Sequence, residues 1–236
     1  MFDLTFLTVI KVAHLVGLIM GLGGAVLADL TVFTRGVIRP VSAYTIHQVE
    51  FLAHIVSVGL IILWVTGTGL ILVNSMGNPE YLNNPKLWAK IFIVVTLTVN
   101  GIFVHSKVLP FLHNSIGLRL FDRVSKKTIG ILTFFGGVSV VSWAVPFVLG
   151  KASELNHVMP MSNILLVYLG CVLATWLGLF AVMTSIRRIQ EYVAKVAALT
   201  LLPNDLWEQT VAVADHTPNR TVVPFAARQK MAGQHF

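Results

Sequence analysis

Three histidines stand in segments that are otherwise apolar: His14, His54 and His105. An ionisable side chain at membrane depth is costly, so each one raises a functional hypothesis. His14 comes with Lys11 and Asp29, His54 with His47 and Glu50, and His105 with Lys90. Two neutral imidazoles on facing helices at one depth can ligate a haem iron axially, inside an apolar bundle that excludes water. The bland alternative is that His54 and His105 are hydrogen-bonded bundle histidines holding no cofactor. His14 heads a stripe of Gly17, Gly21, Gly24 and Ala28, spaced three, four, three and four, which puts all five on one helix face. Such a seam lets helix backbones approach closely. The same groove could also take the edge of a flat macrocycle. On a later segment, His157, Met159 and Met161 offer an imidazole and two thioethers, a set suited to soft Cu(I), or simply an ordinary loop.

These residues need elements to hold them. The 236-residue chain is 56% hydrophobic and 11% charged, against about 25% charged in an average soluble domain. With a mean hydropathy of +0.80, it reads as an all-α, polytopic integral membrane bundle. Five segments reach the roughly 20 apolar residues that a spanning helix needs: 5–33, 47–73, 87–112, 128–149 and 162–186. Breakers separate them, among them RGVIRP, NSMGNPEYLNNP and GKASELNHVMP.

Loop charge sets the expected orientation. Arg35 and Arg39 lie in loop one, and Arg119, Arg123, Lys126 and Lys127 in loop three. Arg187 and Arg188 follow the last span, whereas loops two and four carry Lys86 and Lys151 alone. The positive-inside rule then predicts the N-terminus outside and the C-terminus in the cytoplasm, in a bacterial inner membrane. The net charge of +7 is thereby read as topology and anionic-lipid contact, not nucleic-acid binding. MFDLTFLTVI lacks the basic start of a signal peptide, so the first span is expected to stay in the mature protein. Residues 1–186 form the expected bundle, and 187–236 a cytoplasmic amphipathic helix and tail.

Depth follows from the span limits. His54 lies about two turns into the second span and His105 about two turns before the end of the third, so the two match in the inner half. His14 and Lys90 both stand near the outer side. Spans four and five hold no acid, base or histidine, which assigns any chemistry to the first three. Asp29, near the inner end of span one, could pair with Arg35 or serve in a proton relay. Cys171 is the single cysteine, so no disulfide forms within the chain. A P-loop, a GxGxxG between strand and helix, a CxxC and an HExxH are all missing from the sequence.

KVAHLVGLIMGLGG and TGTGLILVNSMGNPEYLNNPKLWAKIFIVVTLTVNGIFVHSKVLP resemble the small polytopic family of HemJ-type protoporphyrinogen oxidases and the membrane domain of CopD-type copper proteins. The shared features are the Lys11–His14 start, the Gly67 and Gly69 turn, and Ala89-Lys90, within about residues 8–113. The resemblance implies haem b, with His14 and Lys90 as its important residues. HemJ-type chains have four spans and carry a third-span histidine nearer the lysine, where Asn100-Gly101 stands here.

The expected function is therefore a haem b membrane protein in electron transfer or oxidoreduction. His54 and His105 would be axial ligands of an inner haem. His14, with Lys90, would mark an outer site for a second haem, a quinone or a porphyrin. A copper-handling permease using His157, Met159 and Met161 stands beside it, as does a non-catalytic subunit of a larger membrane complex or homo-oligomer. Lipid is the expected surroundings, and an electron-transfer protein an expected partner.

Overall fold

The computed structural model describes residues 4–121, 124–152 and 158–200. Contacts divide the chain into two units, Met1–Thr184 and Ser185–Phe236. Among the described residues five helices are long and apolar enough to cross a membrane: Thr5–Val37, Ala43–Gly77, Pro85–His113, Lys126–Lys151 and Met161–Ala198. They are called spans one to five below. No strand forms among the described residues; a lone bridge pairs Val41 with Ile116. The first four spans run up to four residues beyond their predicted limits, and the fifth ends twelve residues beyond its own. The fifth continues as helix through RRIQEYVAKVAA, where Arg187 Nε donates to Glu191 Oε1 at 2.8 Å. The expected tail, 201–236, lies outside the described residues.

Helix starts follow local chemistry. Ser42, Asn84 and Ser125 each accept a backbone N–H of the first turn, from Thr45, Lys86 and Thr128. Such a cap is worth about 1 kcal/mol. Span three contains a π-helical turn, Val104–Val108, closed by Leu109 N donating to Val104 O. Its cause is Pro110. A proline has no N–H for the carbonyl four residues back and its ring collides with that carbonyl, here of Ser106. Widening the turn by one residue relieves both. Loops one and three are tied by backbone bonds, Val41 N to Leu118 O, Gly117 N to Val41 O and Leu120 N to Gly36 O, at 2.8–2.9 Å. Gly117 holds φ +80° there, a conformation that costs glycine little.

Spans one and two pack against each other along their length, and the glycine seam is the reason. A Cβ on Gly59 of span two would stand 2.6 Å from Gly21 N and 2.8 Å from Gly17 O. The two backbones therefore touch. Gly24 faces Val56 and the Leu52 carbonyl, and the ring of Trp143, from span four, occupies the place a Gly21 side chain would take. The seam is thus filled by protein, and the expectation that it could admit the edge of a macrocycle is corrected: Gly59 and Trp143 take that space. Spans three, four and five close a second core around Ile93, Val141, Ile164 and Tyr168. Inside it Ser142 and Tyr168 share a 2.8 Å hydrogen bond.

Gly59→Ala should lower the unfolding midpoint in detergent, by about 1–3 kcal/mol, since a methyl there meets backbone that cannot turn aside. Gly23→Ala, with nothing within 4 Å of its Cβ, should hold or gain up to about 1 kcal/mol. Equal effects at the two positions would contradict the assigned contact.

Candidate functional site

The polar side chains of the first three spans sort into two groups. The first is His14. Thr66 Oγ1 donates its one proton to Ile62 O at 2.5 Å, so at 2.8 Å it accepts from His14 Nδ1–H. That fixes the tautomer and leaves His14 Nε2 with its lone pair. Gly67 clears the space beside the ring, its Cβ position lying 3.4 Å from His14 Cε1. Lys90 is close enough for its charge to act on His14. Buried Lys86, one turn before it, donates to the Ala152 carbonyl. The structure thus brings His14 and Lys90 into one neighbourhood, with Thr66 and Gly67 as partners the sequence did not single out.

The second group lies along the facing sides of spans two and three. His54 and His105 stand with ring centroids 6.4 Å apart and planes at 82°. His54 Nδ1–H donates to the Glu50 carbonyl at 2.8 Å, which leaves Nε2 with the lone pair. Ser57 Oγ spends its proton on Ala53 O at 2.9 Å and so accepts from His105 Nε2–H at 3.1 Å. His105 keeps the lone pair on Nδ1. Each imidazole is oriented by one hydrogen bond and retains one unspent nitrogen. Both residues are exposed. Glu50 belongs to the same array, its Oε1 accepting from His113 Nε2 at 2.7 Å. His47 is exposed one turn earlier.

Helix geometry explains the split. At about 100° per residue, Glu50, His54 and Ser57 lie on the far side of span two from Gly59, while Thr66 lies near Gly59's own side. Span two therefore presents its glycine and threonine to span one and its histidine to span three. Thr66 is twelve residues from His54, so at ~1.5 Å per residue the two groups lie about 18 Å apart along the axis.

Beside the histidine pair is a cavity of about 1070 Å³, lined from all five spans and including His105 and Ser57. It occupies the half of the bundle that carries loops one and three. Asp29 lines it and makes no ion pair with Arg35, a correction to the expected bridge. Arg35 instead donates to Gln48 Oε1 at 3.3 Å and lies 5.8 Å over the Tyr44 ring, and so is turned toward the second span.

Met159 and Met161 pack against the core of spans three to five, and His157 lies outside the described residues. No group of three or more His, Cys, Asp or Glu able to hold a bare metal ion occurs among the described residues.

Fold and site together define a five-span helix bundle of the integral-membrane class. No protein-family model, curated protein or solved structure matches the chain.

Removing the acceptor in Thr66→Val should leave a half-buried imidazole N–H unpaired, a loss of about 1–3 kcal/mol, whereas Thr66→Ser should stay near wild type. Thermal unfolding in detergent separates the two. A valine variant as stable as the serine variant would contradict the hydrogen bond assigned to His14.

Proposed function

We propose that this chain is a membrane-embedded haem b protein acting in electron transfer or oxidoreduction, with His54 and His105 as the axial ligands. The observation that carries the reading is the spacing of the two rings. A metal–imidazole bond is about 2 Å long and the ring centroid lies roughly 1 Å behind the nitrogen, so two imidazoles on one metal stand about 6 Å apart. The observed 6.4 Å fits that distance, and each ring keeps a nitrogen free for a ligand. An apolar cavity adjoins them. Haem iron supplies a one-electron couple whose potential the protein tunes through ligand, burial and neighbouring hydrogen bonds.

The residues of the chain have definable tasks in this reading. The Glu50 carbonyl and Ser57 hydroxyl fix the orientation of the two imidazoles, as outer partners commonly do for metal-bound histidine. His14, held by Thr66 and near Lys90, is a separate second site for a haem, porphyrin or quinone. The resemblance to HemJ-type chains in this region supports it. The orientation that fits the loop charges has the N-terminus outside and the C-terminal segment cytoplasmic, in a bacterial cytoplasmic membrane. The packing of Met159 and Met161 into the core favours haem over a copper path.

The test is a series of reduced-minus-oxidised optical spectra on protein purified from haem-replete cells. Wild type should show one sharp α-band. His54→Ala and His105→Ala should each abolish or broaden it while His47→Ala, on an exposed residue outside the pair, leaves it intact. A band undiminished in both alanine variants, or protein without haem, would refute the assignment.

A further inference from the structure

The cavity in the loop-one and loop-three half contains more polar chemistry than the histidine pair uses. Most hydroxyls on its wall are spent within the protein. Thr98 donates to Val94 O and accepts from Trp64 Nε1, Thr133 donates to Ile129 O, and Ser57 is engaged as described. The Asn100 amide is not. Its residue is 4% exposed, and its side-chain oxygen is buried without a hydrogen-bond partner, yet it lines the cavity. An unpaired buried amide costs about 1–3 kcal/mol, more where no water can reach it. Ser139 and the Trp143 indole N–H, on the same wall, also make no hydrogen bond to described residues. Phe103 stacks on Phe135 at 3.4 Å, and this antiparallel register sets Asn100 and Ser139 at nearly one level.

We infer that the cavity binds a neutral, lipid-soluble ring compound of the quinone/quinol class, whose ring oxygens hydrogen-bond to Asn100 and Ser139. Four observations narrow the ligand to that class. The wall includes lipid-exposed residues such as Leu30, Ile61 and Ile102, so entry is from the bilayer. Among the described residues no lysine or arginine lines the cavity and Asp29 does, which disfavours phosphate or carboxylate heads. Phe33, Phe121, Phe135 and Trp143 supply aromatic walls for a flat ring. The unspent groups include both donors and acceptors, which suits a head that carries carbonyl or hydroxyl oxygen. At about 1070 Å³ the space is just above the range of ordinary small-molecule sites, roughly 300–1,000 Å³. The inference does not depend on iron at the histidine pair.

The experiment is equilibrium binding of a labelled benzoquinone with a decyl tail to the full chain in lipid nanodiscs. Wild type should bind it saturably, one per chain. Asn100→Leu should weaken binding about tenfold and Ser139→Ala several-fold, with unfolding midpoints at or above wild type, because each change removes an unpaired polar group. Should the leucine variant fail to fold, the serine variant carries the test. His54→Ala, outside the cavity wall, should bind as wild type does even where the optical spectrum is lost; this separates the two readings. Non-saturable uptake, unchanged affinity in both cavity variants, or equal binding of decylbenzene would overturn the proposal.

Discussion

The contact on which the arrangement turns is backbone against backbone: Gly59 of span two seated between Gly17 and Gly21 of span one. Within a bilayer no hydrophobic driving force pairs apolar helices, so close packing and interhelical hydrogen bonds must do it. Three glycines supply the packing, and the His14–Thr66 bond, further along the same interface, supplies the polar tie. With that face of span two committed, its opposite face is fixed as well. Glu50, His54 and Ser57 must point away from span one. They meet span three through side chains, at His105 and His113.

A bundle built this way is uneven by construction. Spans one and two form one tight pair, and spans three to five close around Ile93, Ser142 and Tyr168. Trp143 belongs to both halves: it fills the notch at Gly21 and packs with Leu63 and Leu97. Between the pair and the triplet the side chains bridge where the backbones do not close, and the cavity lies there. The π-helical turn of span three adds to this, because the extra residue turns His105 relative to the preceding helix. Such turns are frequent at functional sites. Here the local cause is Pro110, so one proline both relieves its own clash and aims a histidine.

Much of this was legible in the residues. Span number follows from apolar length, and the pairing of His54 with His105 follows from their distances to the span ends, because antiparallel helices match depth to position. The small-residue stripe declared a packing face. Its occupant was not legible: Gly59 lies in a segment with no stripe of its own, and Trp143 comes from a distant span. Closeness in sequence near the end of span one also suggested that Asp29 pairs with Arg35, six residues on. Only the π-helical end of span one and the Tyr44 ring, features of the folded chain, draw the guanidinium away. Asn100 stands out in the sequence as an amide in an apolar run, but that its oxygen would be unpartnered depends on what faces it across the helix interface.

The most direct test of the account is the spin state of the iron in the oxidised protein as purified, read by low-temperature electron paramagnetic resonance. Two strong-field imidazoles on one iron make it six-coordinate and low-spin, and the account predicts a low-spin ferric signal with little or no high-spin component. A dominant high-spin signal would mean that the iron lacks one of the two histidines and would contradict the pairing of His54 with His105.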